Sequence, residues 1–316
     1  MDYTKVANSR YASGVFINKP TDGPAVEVIY NKMIKDTVPV MSVVIPIYNQ
    51  ERIIERNLKS VLDCMTHVEY ELILIVDACS DKTEERVMGV VNEDLPELLT
   101  NVVVMKTVVP LFETAADNLG FLCSRGEFVL EIQADMQMVE NGFNMTLVAP
   151  FMRFGDLIAV SGRCCHGLTY GEGVGKMGAD VEKPLDPSLH RGYLYISETC
   201  NRGPILFRRN KVAELGYLDE VNYFLDYSEH DLFVRARVQK SWLCGYTPME
   251  FVSPCSDGST RNKRDPINEA AFAEKSARCQ RQGFMYSWLE SRPEQFPIRA
   301  ISIRPDGGNA VVACAP

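Results

Sequence analysis

A repeated alternation that begins at Met41 constrains this chain more than any other feature. Short apolar, largely β-branched runs alternate with stretches whose apolar residues recur at helical spacing. Ser42-Val43-Val44-Ile45-Pro46-Ile47 is the first such run. Continuous apolarity over so few residues fits a strand buried on both faces. Pro46 stands at its end, where a strand tolerates it. Asn49 can cap a helix to about Met65, with Ile53, Ile54, Leu58, Val61 and Leu62 along one face. Glu71–Val76, Val102–Lys106 and Glu127–Ile132 repeat the strand pattern. Helical stretches to about Val91 and over Glu113–Cys123 lie between them.

Strand and helix alternating at this spacing predict βαβ units, and so an α/β fold whose central sheet is mostly parallel, Rossmann-like, with helices on both faces. Ligands of such sheets bind beyond the carboxyl ends of the strands. Three polar clusters fall there: Tyr48-Asn49, Asp77, and Gln133-Ala134-Asp135. The second half is less regular. A helix over Met145–Phe154, strands at Leu157–Ser161 and Ile205–Arg208, a short helix at Lys211–Leu215, and helices from Ser228 to about Lys240 and over Asn268–Arg281 are expected. Residues 1–40 read as an arm or hairpin, with a turn at Lys19–Pro24 and a short strand at Val26–Tyr30. The expected organisation is an arm over 1–40, a main domain over 41–265, and a helix and tail over 266–316. The main domain divides into a nucleotide-binding half, 41–137, and an acceptor and catalytic half, 138–265.

Composition narrows the function. Hydrophobic residues make up 46% of the 316, enough for a core, and the formal charge is -9. An acidic chain is a poor general binder of nucleic-acid phosphates, so an anionic ligand must be met by local groups. No apolar run reaches the ~18 residues that span a bilayer. The polar start, MDYTKVANSRY, lacks the order of a secretion signal, so a cytoplasmic protein is expected. Ten cysteines show no CxxC spacing. Cys64, Cys123, Cys244 and Cys279 sit in apolar or small-residue contexts and read as buried, reduced thiols.

Several ordered segments resemble the family 2 glycosyltransferases, whose nucleotide-sugar fold is called GT-A. Val43–Glu51 is similar to that family's opening VSVVIPTYNEE. Val76–Thr83 is similar to its VDDGSTDGT turn, and Ala115–Glu127 to AxNxGxxxARGE. Ala134-Asp135-Met136-Gln137 stands at the acidic metal motif. Phe207-Arg208-Arg209 with Leu215–Glu220 resembles FRR…GGFDE. Glu229-His230-Asp231-Leu232 with Arg235-Ala236 resembles EDxDLxxRA. The resemblance runs from about Met41 to Arg261 and implies an inverting transferase. Such an enzyme moves sugar from a nucleoside diphosphate, UDP most often, to a glycan or other hydroxyl acceptor.

The family chemistry displaces a nucleoside diphosphate at the anomeric carbon. It needs a positive group on the phosphates and a base for the acceptor hydroxyl. The resemblance implies that Asp77 meets the nucleotide base, with Pro46, Tyr48, Glu51 and Ala134 lining the pocket. Asn118 and Arg125 would position the nucleotide; ordinary helix surface is the plainer reading of both. Asp135 would hold Mn2+ or Mg2+, although Gln133 and Met136 stand where the family carries further acids. Cys255 stands about where a metal-binding His is usual, before the Asp257–Thr260 turn, and Arg261 after that turn would neutralise phosphate instead. Glu229 is the expected base and Asp231 the second candidate. Ser228 and Asp231 also resemble a helix capping box. Gln133, Gln137, Asn201, Arg202 and Gly203 are expected to face donor or acceptor.

Gly173–Gly178 matches GxGxxG but joins no clear strand to a clear helix, and so implies no dinucleotide site. A lid over the acceptor is the better reading of that loop. Two other readings stay open. Ala134–Gln137 is similar to the DADLQ of dolichyl-phosphate mannose synthases, which implies a polyprenyl-phosphate acceptor. The substituted metal motif also suits a fold that binds sugar nucleotides or glycans without turnover.

Overall fold

The computed structural model describes residues 1–12, 25–168, 177–178, 189–253, 266–278, 283–291, 299–302 and 311–313. Four parallel strands form the heart of an 11-stranded sheet: β2 (Met41–Ile47), β3 (Tyr70–Asp77), β4 (Leu99–Thr107) and β5 (Phe128–Glu131). Helices α2 (Ile54–Cys64), α3 (Thr83–Val91) and α4 (Phe112–Cys123) connect them, as the alternation predicted. β1 (Val26–Met33) lies antiparallel on the outer edge of β4. On the other side β5 pairs antiparallel with Ile205–Arg208, and the sheet continues through Leu157–Ser161, Leu243–Tyr246 and Tyr193–Ser197. Two strands near the C-terminus, Arg299–Ser302 and Val311–Ala313, complete it.

Side chains alternate across a strand, so each central strand feeds two cores. Val43, Ile45, Leu72, Leu74 and Val76 join Leu58, Val61 and Val87 in one cluster with α2 and α3. Val44, Ile73, Ile75, Val103 and Met105 join Ala115, Ala116 and Leu119 of α4, and Leu232 and Phe233, in the other. Burial on both faces explains why these strands read as unbroken apolar runs. The N-terminal segment is more than an arm or hairpin. Helix α1 (Tyr3–Ala12) buries Tyr3 and Ala7 in the α4-side core, and Asn101 Nδ2 donates to the Tyr3 hydroxyl at 2.9 Å. The helix expected over Met145–Phe154 is split into Phe143–Val148 and a 3-10 turn, Ala149–Met152. Pro150 has no N–H to continue an α-helix there. The turn at Lys19–Pro24, most of the glycine-rich loop, and the segment holding Cys255, the Asp257–Thr260 turn and Arg261 lie outside the described residues.

The Arg125-Gly126 pair serves the opposite end of the sheet from the ligand edge. Glu71, fully buried at the start of β3, accepts Ser42 Oγ at 2.6 Å, Arg125 N at 2.7 Å and Arg125 Nε at 2.7 Å. Asp77 lies six residue steps along the strand from Glu71, about 20 Å away. A Cβ at Gly126 would come within 2.7 Å of Ser42 N and 2.8 Å of the Met41 carbonyl carbon. Gly126→Ala is therefore expected to lower stability by about 1–3 kcal/mol through overpacking. Urea denaturation measures this, and nucleotide affinity in the folded variant should be unchanged.

Candidate active site

The first two turns at the carboxyl edge lock to each other. Asn49, at a φ of 47°, accepts Ser80 N at 2.9 Å through Oδ1 and donates to Ser80 Oγ at 3.2 Å. Gln50 N donates to Thr83 Oγ1 at 2.6 Å. Glu51 is exposed and takes part in the same lock, accepting Lys82 N at 3.0 Å while its own N–H donates to Asp81 at 3.1 Å. Pro46 and Tyr48 lie half-buried beside it. Asp77 ends β3 as expected, but its carboxylate is only 4% exposed. Oδ1 accepts Thr107 Oγ1 and Leu111 N, each at 2.7 Å, and Oδ2 accepts Phe112 N at 2.8 Å. Burial holds this carboxyl above its ordinary value, and those three donors only partly oppose the rise. Asp77 thus anchors the turn that starts α4.

At the centre of the edge is a guanidinium. Arg202 is 4% exposed and reaches two helices. Nη1 donates to Asp117 Oδ2 at 2.8 Å and lies 3.2 Å from Glu113 Oε1, both on α4. Nε donates to Glu229 Oε2 at 3.2 Å. Nη2 donates to Thr114 Oγ1 at 3.1 Å and to Ser228 Oγ. Glu131, the last residue of β5, completes the group by accepting Gly203 N at 3.0 Å. Gly203 has a φ of 46°, and a Cβ there would meet Gln133 and Met136 at 3.0 Å, so only glycine suits the position. Burial alone would push the Arg202 guanidinium down; Glu113, Glu229, Asp117 and Glu131 together push it up. Glu131 is held well above the ordinary carboxylate range by burial first and by Asp117 second. Burial also raises Asp117, with Arg202 opposing and Glu113 adding to the rise.

Glu229 begins the helix Ser228–Lys240 and is 8% exposed. Arg202 fixes its Oε2, while Oε1 lies 3.8 Å from His230 Nε2. Asp231, the second base candidate, is placed elsewhere. Its side chain is fully buried, accepts Arg235 Nε at 2.7 Å and Met285 N at 2.8 Å, and so ties two helices together. The capping-box reading fails as well, because Ser228 Oγ is engaged by Arg202 and Thr114. Asn118 is buried, not helix surface, and brackets the Leu218 backbone with bonds of 2.9 and 3.0 Å while donating to Glu220 at 3.1 Å. Arg125 is away from this edge altogether, as described above.

Gln133 joins the cluster from the turn after β5, donating to Glu113 Oε1 at 2.7 Å and accepting Arg163 Nη1 at 3.0 Å. Ala134 O accepts Asn57 Nδ2 at 2.8 Å, which pins the next turn to α2. Asp135 follows, half-buried, and Gln137 starts a two-residue strand paired with Phe251–Val252. Asn201 is half-buried in the strand-to-strand connection and its carbonyl accepts Ser161 Oγ at 2.8 Å.

Among the described residues, one carboxylate group is tight enough to hold a cation: Glu113, Asp117 and Glu131, whose ligand atoms lie within 4.8 Å of one another. Arg202 already bonds two of the three, so the arrangement is the counter-charge of a guanidinium more than a divalent-ion cage. Asp135 fits a metal better in another way. It offers a hard oxygen donor, and Mg2+-type ions take one or two carboxylates and complete their shell with phosphate oxygens and water. Glu113, Asp117 and Glu131 were missed as site residues in the sequence. The available signals were the i, i+4 spacing of Glu113 and Asp117 on one helix face and an acid closing the apolar run of β5.

A model described as glycosyl transferase family 2 matches residues 42–214, more than half of the chain. No curated protein matches it significantly. The S. aureus TarS 1–349 structure in complex with UDP is similar at 15% identity and a TM-score of 0.50, over 68% of this chain and 60% of TarS 1–349. The mannosyltransferase PcManGT from Pyrobaculum calidifontis, in complex with GDP-Man and Mn2+, is similar at 15% identity and a TM-score of 0.54, over 91% of this chain and 73% of that one. At these identities the likeness is one of fold, and this chain spans less than two-thirds of TarS 1–349. Among the described residues no helix is long and apolar enough to cross a membrane.

The buried charge cluster generates two expectations. Arg202→Met leaves the carboxyls without a cation and should cost about 3–5 kcal/mol, measured by chemical denaturation. Glu131 and Asp117 hold more protons folded than unfolded above the ordinary carboxylate value of ~4. Stability should therefore fall as pH rises from there through their folded values. Glu131→Gln keeps an acceptor for Gly203 N and cannot ionise. Its denaturation midpoint should exceed the wild-type value at pH 8, and the gap should close toward pH 4.

Proposed function

The chain belongs to glycosyl transferase family 2, and on that premise we propose that it transfers sugar from a nucleoside diphosphate, a UDP-sugar, to a hydroxyl acceptor with inversion. The observation that carries this reading is the setting of Glu229. One oxygen is fixed by Arg202, whose other nitrogens clamp α4, and the second lies outside that fork, toward His230. In the proposed step the acceptor hydroxyl gives its proton to Glu229 Oε1. Its oxygen bonds the anomeric carbon as the bond from that carbon to the diphosphate breaks, so one displacement inverts the centre. Arg202 positions the base, and the locked turns at Asn49 and Ser80 shape the nucleotide side with Tyr48.

Asp135 is proposed to hold Mn2+ or Mg2+ against the diphosphate, where the ion would neutralise the leaving group. In support, Asp135 lies in the turn that follows β5, beyond the carboxyl end of that strand. The similarly folded PcManGT was in complex with Mn2+.

Nucleoside diphosphate release from UDP- and GDP-sugars, with Mn2+ or with EDTA, tests both assignments. Glu229→Gln is expected to slow release by ~100-fold or more while leaving donor affinity near wild type. Asp135→Ala is expected to lose the stimulation by Mn2+. Release that ignores both EDTA and Asp135→Ala would remove the metal assignment.

A further inference from the structure

We propose that Tyr227 is an acceptor platform on which a pyranose ring stacks, so that the acceptor is a saccharide. This rests on the reading of Glu229 as the base. Tyr227 breaks two local rules at once. It is the cap residue of the helix that carries Glu229, yet its side chain makes no capping hydrogen bond, where Ser, Thr, Asp, Asn or Gly would serve. Its φ is 71°, a left-handed conformation that bulky L residues rarely adopt. Burial does not repay this, because Tyr227 is 47% exposed. A backbone outlier kept at an exposed aromatic, two residues from a cleft carboxylate, points to use of the ring itself.

The surroundings define the ligand. The Tyr227 ring lies 5.9 Å from the His230 ring, which lies 4.9 Å from the His166 ring. His230 is also the residue beside Glu229 Oε1. The three rings form a short aromatic row whose middle ring, His230, lies beside the proposed base. A pyranose presents one apolar C–H face with partial positive charge, which complements the negative face of an aromatic ring. A sugar stacked on Tyr227 would place its rim hydroxyls toward Glu229.

The test uses the full chain with UDP as donor-site probe and maltotriose, cellotriose, chitotriose and mannotriose as acceptor probes. Binding is read by saturation-transfer NMR and calorimetry, and stability by thermal denaturation. Tyr227→Gly removes the ring and suits the positive φ, so it should fold and raise the melting temperature. It should weaken binding of the recognised trisaccharide about 5- to 10-fold, leave UDP affinity unchanged, and Tyr227→Phe should bind like wild type. A platform role alone combines a gain in stability with a loss of saccharide affinity. Equal saccharide affinity in Tyr227→Gly overturns the proposal. So does UDP binding without any trisaccharide binding, and so does binding confined to a short polyprenyl phosphate in micelles. Failure of the wild type to bind UDP overturns the donor reading, and this proposal with it.

Discussion

A guanidinium buried among four carboxyls is the constraint on which the catalytic edge depends. Burying one charge is costly unless it is paired and hydrogen-bonded. Arg202 meets that demand by drawing Glu113 and Asp117 from α4, Glu229 from the helix that starts at Ser228, and Glu131 of β5 by way of the Gly203 backbone. α4 and β5 follow one another in the chain, whereas Arg202 and the helix that starts at Ser228 come from its second half. Their meeting point fixes how the two parts of the sheet sit around the cleft.

The same cluster carries more potential negative charge than one arginine can balance. Burial and mutual repulsion hold Asp117 and Glu131 above the ordinary range, which keeps the interior near neutrality. Glu229 lies at the rim of this system rather than inside it. That placement lets Arg202 hold one oxygen while the other lies 3.8 Å from His230 Nε2. Removing one partner of such a cluster is strongly destabilising even where the intact cluster adds little stability.

The fold was legible because the β2 to β5 strands are buried on both faces, and double burial writes itself as unbroken β-branched runs. The sequence pointed to Glu229 and Arg202 only through the resemblance, and Arg202, expected to face donor or acceptor, is instead buried among carboxyls. The sequence did not reveal the direction in which motif side chains point. Asn118, Arg125 and Asp231 each match a motif, yet each turns inward to hold a loop, a sheet end or a helix. Motif residues record what the fold needs as well as what the ligand needs, and one-dimensional spacing does not separate the two. The Arg202 cluster was hidden for a related reason: Glu229 lies far along the chain from the acids of α4 and β5, and only the folded sheet edge brings them together.

The central claim is that one carboxylate, Glu229, serves a single displacement. The anomeric proton coupling of the freshly formed product, followed by NMR from an anomerically pure nucleotide sugar, tests it most directly. The account predicts the anomer opposite to that of the donor from the first turnover. A product that retains the donor configuration would contradict it.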